Sequence, residues 1–281
     1  MTPPADLRLF AHAACVWEAT ARKVGNVHPG ASFADAHYLD FILSAGSLAS
    51  VIGEAASMPL GETILAAVRA RKRVCATNTN LGIILLLAPL AARTDLDRLD
   101  GNDARNVYAA IREASAGGLG NVEAADVAEE PTISLREAMA LAAHRDLIAR
   151  QYANGFRDIH EFGVPALLGA WEELPCVEWA ILNCQLRWLA AFPDSLIARK
   201  NGPAVAADVQ ARAVDFWNLG GFATAAGRTA GRELDAHLRA DGHARNPGTT
   251  ADLVTACLFL ALRDRRLSPN APFAWNAPDW L

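Results

Sequence analysis

Apolar positions along the chain recur at helical spacing almost from its start. Leu7, Phe10, Ala14 and Trp17 lie three and four residues apart, which predicts an amphipathic first helix with Glu18 near its end. Gly25, Pro29 and Gly30 then break the pattern. The spacing predicts further helices over 38–56 and 61–72. The most apolar run, 81–92, reads as a buried core helix that Pro89 kinks or ends. Another helix covers 103–114, ahead of an irregular glycine-rich stretch at 117–120. Ser134 and Glu137 have capping-box spacing, so a long helix is predicted from there to about Tyr152. Helical spacing also fits 156–172, 177–191, 204–219, 221–239 and 250–263.

Strand signals are nearly absent: no sustained alternating runs rich in Val, Ile and Thr occur, and no Asn-Gly or Asp-Gly hairpin. Ala and Leu, both strong helix formers, dominate. The expectation is an all-α fold, a single compact multi-helix domain over residues 1–281, since no linker or charge run divides the chain. The C-terminal stretch SPNAPFAWNAPDWL reads as an extended segment packed on the domain or on a partner subunit, which leaves a homodimer open.

At 281 residues and 52% hydrophobic content the chain can bury a large core. Its net charge of −5 argues against nucleic acid as a partner, because no excess of Lys and Arg is available to neutralise phosphates. A single small anion needs only a few local cations. The first residues lack the basic start and apolar core of a secretory signal. The run at 81–92 is too short for a bilayer, which needs about 20 residues. A cytoplasmic protein with no membrane partner is therefore expected. Cys15, Cys75, Cys176, Cys184 and Cys257 are scattered among apolar neighbours with no CxxC pair, as buried reduced thiols would be.

Five polar segments interrupt the apolar pattern and carry the candidate chemistry. The first runs from Glu18 through Lys23, Gly25 and His28 to Asp35 and Asp40. Its glycine turn lets backbone amides approach a phosphate, and its acids are of the kind that hold magnesium. It equally suits a helix ending in Arg and Lys with a glycine cap. The second, Asn78-Thr79-Asn80-Leu81-Gly82, enters the apolar helix, whose N-terminus offers amides to an anion or simply an N-cap. The third spans Arg150 to Asp158. The fourth, with Asp194, Arg199, Lys200 and Gly202, reads alone as a charged interhelical loop. The fifth, Asn246-Pro247-Gly248-Thr249-Thr250-Ala251-Asp252, combines a turn with a helix start. No Walker loop, HExxH, GxSxG or paired zinc spacing is present.

Taken together and in order, these five segments resemble the triphosphoribosyl-dephospho-CoA synthase family. The anchors are Lys23-x-Gly25-x-Val27, Asn78-Thr79-x-x-Gly82, Asp194 with Arg199 and Gly202, and Pro247-Gly248-x-x-Ala251-Asp252. The resemblance covers nearly the whole chain. It implies an all-α transferase of ATP and 3′-dephospho-CoA, in which the dephospho-CoA 2′-hydroxyl attacks the anomeric carbon of ATP and expels adenine. The product would be the precursor of the prosthetic group of citrate and malonate decarboxylating enzymes.

By match to the motifs, Lys23, Arg199 and Lys200 fall on phosphates, with Gly25, His28, Asn78, Thr79, Asn80, Gly82, Gly202, Gly248 and Thr249 around them. Asp35 or Asp40 falls on Mg2+, and Asp194 or Asp252 is the base or a second metal ligand. Decarboxylase-linked members carry Asn-Thr-His-Lys-Gly where this chain has Asn80 and Leu81, and a proline where it has Val24. Their His-Gly-Glu segment has no counterpart near His144. The pattern is similar to the divergent branch of methanogens and of methylotrophs that use tetrahydromethanopterin. Two other readings stand beside the first: a related transferase in the biosynthesis of a one-carbon carrier of tetrahydromethanopterin or methanofuran type, with a different acceptor, and a non-catalytic helical binding protein.

Overall fold

Helices that are apolar on every side can be accommodated only at the centre of a fold, and two segments have this character. The computed structural model describes residues 2–34, 36–75, 79–96, 99, 101–115 and 133–275. In it, α4 (Leu81–Ala92) and α13 (Gly248–Arg263) form that centre. Every residue of α4 from Ile83 to Ala91 is buried, as is every residue of α13 from Leu253 to Leu262. The two pack directly on each other, and Arg263 Nη1 donates to Leu90 O at 2.6 Å where both end.

Around them lie α1 (Pro4–Thr20), α2 (Tyr38–Ile52), α3 (Leu60–Lys72), α5 (Gly101–Ser115), α6 (Leu135–Ala142), α7 (Leu147–Asn154) and α8 (Val164–Glu173). The chain then continues through α9 (Val177–Ala191), α10 (Ser195–Asn201), α11 (Pro203–Asn218) and α12 (Ala225–Arg239). No strand occurs among the described residues; one isolated bridge pairs His28 with Ala31. Helix α1 buries a stripe of Leu7, Phe10, Ala14 and Glu18 between α2 and α13.

Helix α9 joins two cores. Val177, Ile181, Cys184 and Trp188 enter the main core, while Leu182, Leu186 and Leu189 face a smaller one with Phe216, Leu234 and Leu238 from α11 and α12. The segment Tyr38–Ser57 is long and apolar enough to cross a bilayer by length and composition. Here Ala45, Leu48, Ala49 and Ile52 are buried and the helix packs against α1 and α3.

Three differences from the sequence expectations have physical causes. The helix predicted from Ser134 to Tyr152 is two helices, because Asp146 caps the second by accepting from the Ile148 and Ala149 amides at 2.8 and 3.0 Å. Pro89 does not end its helix, which continues to Ala92 and stops at Arg93 in the left-handed region (φ 51°). Having no N–H, Pro89 leaves the Leu85 carbonyl without its intrahelical donor, and the buried Tyr152 hydroxyl donates to it at 2.6 Å. The fourth polar segment is the short helix α10 rather than a loop.

The capping box at Ser134 and Glu137 forms as expected, and all five cysteines are buried and free. The stretch 117–120 lies outside the described residues. Of the C-terminal segment, residues up to Trp275 are described, and the Pro272 carbonyl accepts from the Val177 amide at 2.9 Å.

A single turn of π-helix, Ile159–Gly163, leads into α8. A Cβ on Gly163 would lie 2.5 Å from Cys257 Sγ and 2.7 Å from Trp188. Gly163→Ala should therefore overpack the contact between α8, α9 and α13 and destabilise the protein by about 1–3 kcal/mol, read as a lowered denaturation midpoint.

Candidate active site

A loop can be buried only if its peptide groups find partners, and the loop after α1 is buried from Ala21 to Asn26 apart from the half-buried Arg22. Glu178 on α9 takes the Arg22 amide at 3.0 Å and the Arg22 guanidinium Nε and Nη2 at 2.9 Å each. Seven residues along the same helix, Gln185 accepts from Val24 N at 3.0 Å and donates to Val24 O and Asn26 Oδ1, both at 2.9 Å. From α12, Asp235 accepts the Gly25 amide at 2.7 Å and Arg239 donates to the Lys23 and Asn26 carbonyls. Gly25 has φ +68°, and a Cβ there would lie 2.7 Å from Leu238.

The result is a lysine placed inside the protein. Lys23 is 1% exposed, with its Nζ 2.9 Å from Glu18 Oε1 and 2.6 Å from Glu18 O. Burial pushes the Glu18 carboxyl above its ordinary range, and the Lys23 charge opposes that shift.

Glu18 and Lys23 stand in the wall of a cavity of about 1050 Å³. The first turns of α4, α7, α10 and α13 all border it, and protein side chains already take the first-turn amides of α7 and α10 and the Thr250 amide of α13. Asp194 ties two of these ends together. Its Oδ1 accepts from Leu196 N (2.9 Å) and Ile197 N (3.1 Å), and its Oδ2 from Thr250 N and Oγ1 (2.7 Å each). Ser195 links a third, accepting from Leu147 N at 3.2 Å and lying 3.1 Å from Thr249 Oγ1. Arg199 reaches over the mouth to Asp146 Oδ2 at 3.5 Å. Phe41, Tyr108, Ile111 and Leu141 form an apolar wall.

Asp252 differs from the other acids. Its carboxylate faces the cavity and has no hydrogen-bond or ion-pair partner among the described residues. It lies so close over α4 that a Cβ on Gly82 would come within 2.0 Å of Oδ2. Burial, reinforced by Glu18, Asp194 and Asp146, pushes its pKa well up, and Arg199 opposes the shift.

Of the residues selected from sequence, Lys23, Thr79, Gly82, Arg199, Lys200, Gly248, Thr249 and Asp252 line this one cavity. Asp194 sits just behind the wall, with both oxygens engaged in capping, and burial raises its pKa. Asn80 is 1% exposed behind the first turn of α4. Gly25, His28, Asp40 and Gly202 do not line the cavity.

The carboxylate of Asp40 closes the capping box of α2 by accepting from His37 N at 2.8 Å. Burial and the charges of Arg239 and Lys23 lower His28 to about 4, so it offers no cation at neutral pH. Gly202 ends α10 with φ +90°. Asp35 and Asn78 lie outside the described residues. Among the described residues, no group of three or more His, Cys, Asp or Glu is placed to hold a metal.

Sequence reasoning left Asp146, Ser195 and the apolar wall unassigned, and gave Glu18 no role. The break of apolar periodicity at His144-Arg145-Asp146 was the available signal for the first of these.

A partly open cavity bordered by the cations Arg199 and Lys200 and by several helix starts, with one acid held without a partner, is the layout of a small-molecule site. The family described as ATP:dephospho-CoA triphosphoribosyl transferase matches residues 4–270, and the chain belongs to that family. It is 34% identical over 195 residues to the "Probable 2-(5''-triphosphoribosyl)-3'-dephosphocoenzyme-A synthase" of Pseudomonas putida. That match covers 65% of this chain and 61% of the relative's length. A protein of the same name from Pseudomonas savastanoi pv. phaseolicola is 26% identical over 192 residues, covering 65% and 60%. The fold resembles a crystal structure described as a "putative triphosphoribosyl-dephospho-coA synthase" from Archaeoglobus fulgidus. The TM-score is 0.62 at 30% identity, over 79% of this chain and 97% of that one.

Asp252 carries a consequence for stability. A carboxyl with a raised pKa binds its proton more tightly in the folded than in the unfolded chain. Stability therefore falls as pH rises from the ordinary carboxylate range through the raised folded value. Glu18 and Asp194 act in the same direction. His28, lowered to about 4, works oppositely between about 4 and the ordinary histidine range near 6.5. Asp252→Asn should raise the melting temperature of the unliganded protein at pH 7–8 by roughly 2–4 °C for each kcal/mol relieved. The gain should shrink at pH 4.5.

Proposed function

We propose that this chain transfers the triphosphoribosyl group of ATP to the 2′-hydroxyl of 3′-dephospho-CoA and releases adenine. The observation that carries the reading is the unpartnered Asp252 carboxyl facing a cavity bordered by the cations Arg199 and Lys200. The family match and the relatives' names supply the substrate pair. The reaction makes a bond from the hydroxyl oxygen to the anomeric carbon and breaks the bond from that carbon to the purine. Positive charge develops on the ribose as the purine leaves, so acids close to the anomeric carbon lower the barrier.

In this reading Arg199 and Lys200, which border the cavity, hold the triphosphate. Lys23 has a different task from the phosphate contact suggested by its motif, because its ammonium is committed to Glu18. Asp194 acts on position alone, since capping occupies its carboxylate. Magnesium would arrive on the triphosphate, a mode in which substrate oxygens and water fill most of the coordination shell. The described residues provide no dedicated cage, and Asp40 is engaged elsewhere.

A water-soluble, cytoplasmic setting suits such substrates. A non-catalytic binding protein has no use for an unpaired, half-buried acid whose raised pKa lowers stability. The acceptor is the finer point. Leu81, in the position where decarboxylase-linked members carry lysine, is a cavity residue and makes this end less basic. That observation favours keeping the divergent-branch reading, with a one-carbon-carrier precursor as acceptor, beside dephospho-CoA.

The test is chromatographic detection of free adenine from ATP and magnesium with dephospho-CoA present. Release dependent on dephospho-CoA is the expected result; none with that acceptor overturns the assignment of substrate. Arg199→Ala should raise KM for ATP about 10–100-fold, the loss of one charge-assisted contact, while leaving the melting temperature within ~3 °C.

A further inference from the structure

In-line displacement at an anomeric carbon puts nucleophile and leaving group on opposite faces of the sugar. One acid cannot serve both, and inverting sugar-transfer chemistry uses two carboxyl groups in opposite protonation states. Two carboxyl groups without backbone caps line the cavity, Glu18 and Asp252. Glu18 is 4% exposed and lines the same space as Asp252, and α1 packs directly on α13. The two acids differ in their partners. Glu18 Oε1 is held by an ammonium at 2.9 Å, which favours the ionised form, while Oε2 has no partner among the described residues. Asp252 has no ion-pair partner, and its nearest charged company is largely acidic.

We propose that Glu18 is the base that takes the proton of the acceptor hydroxyl and that Asp252 is the acid that protonates the departing purine. The assignment rests on the transferase reading above. The balance is complete. The hydroxyl oxygen bonds to the anomeric carbon and its proton passes to Glu18. The carbon–nitrogen bond breaks, its electron pair stays on the purine, and the proton from Asp252 neutralises it. Release of product leaves Glu18 protonated and Asp252 ionised, and proton exchange through solvent restores the starting state. Lys23 is a positioning residue here, keeping Glu18 ionised and aimed.

The groups that face Asp252 are Cys15 and Glu18 on α1, Asp146 ahead of α7, and Asp194 and Arg199 at α10, with Lys23 on Glu18. Burial, Glu18 and Asp252 together raise the Cys15 thiol. Burial raises both carboxyls, but the Lys23 charge opposes the shift at Glu18 while acidic neighbours reinforce it at Asp252; unequal environments within one site are how acid and base roles are divided elsewhere.

The test compares ATP with nicotinamide riboside 5′-triphosphate, whose leaving group departs neutral and needs no proton. Asp252→Asn should lose 100-fold or more in kcat with ATP and less than 10-fold with the nicotinamide donor. Glu18→Gln should lose 100-fold or more with both donors. It should also move the limb on which wild-type kcat/KM falls with rising pH to lower pH, because a negative neighbour of the acid is gone.

Should Glu18→Gln fail to fold with Lys23 unpaired, the neutral pair Glu18→Gln/Lys23→Met should fold and show the same losses. Equal loss with both donors in Asp252→Asn, or full activity in a folded Glu18 variant, overturns the division of roles. If wild-type protein releases no adenine from ATP with any acceptor, the transferase reading itself falls, and this proposal with it.

Discussion

The structure depends on the burial of a non-helical loop. Peptide groups leaving water without partners cost several kcal/mol each, so Ala21–Asn26 can lie inside only because Glu178, Gln185, Asp235 and Arg239 meet its amides and carbonyls. These partners come from α9 and α12, helices of the smaller core, whereas the loop leaves α1 of the main core. The same hydrogen bonds that satisfy the loop therefore hold the two cores in register. They also deliver Lys23 to Glu18. Loss of one partner would affect the packing of the cores and the charge state of the cavity together.

The cavity is assembled from helix ends, and its acids fall into distinct groups. Asp146 and Asp194 are consumed by backbone amides, each completing a helix start that would otherwise leave buried donors. Glu18 is consumed in part by a lysine. Only Asp252 is left for chemistry without a structural obligation. Carboxylate count alone does not identify a site; the test is which oxygens the fold has already used. Asp40 shows the same rule from outside the cavity, since its motif suits a metal ligand while its geometry serves α2.

Much of the architecture was legible because helical periodicity is a strong signal over long segments. Helix α9 was read to the residue, and α1, α3, α11 and α13 to within a few residues at their ends. The break between α6 and α7 was not read, because Asp146 has the composition of a helix surface and acts as a cap only through its rotamer. The site was legible in outline: the fourth and fifth polar segments do converge on the cavity. Which acid would be free was not legible. That depends on Thr250 turning its hydroxyl to Asp194, a contact between residues 56 apart. Glu18 was passed over because its partner, five residues on, looked like a phosphate ligand.

The proline in α4 links two helices in a way that bears on how the chain can change. Pro89 withdraws a donor from the Leu85 carbonyl, and Tyr152 on α7 supplies it. Neither residue is independently replaceable: without the tyrosine the carbonyl is stranded in the core, and without the proline the hydroxyl has a competitor. In drift among homologous chains, these two positions should behave as one inherited character. A phenylalanine at the second should be found where the first has regained an ordinary amide.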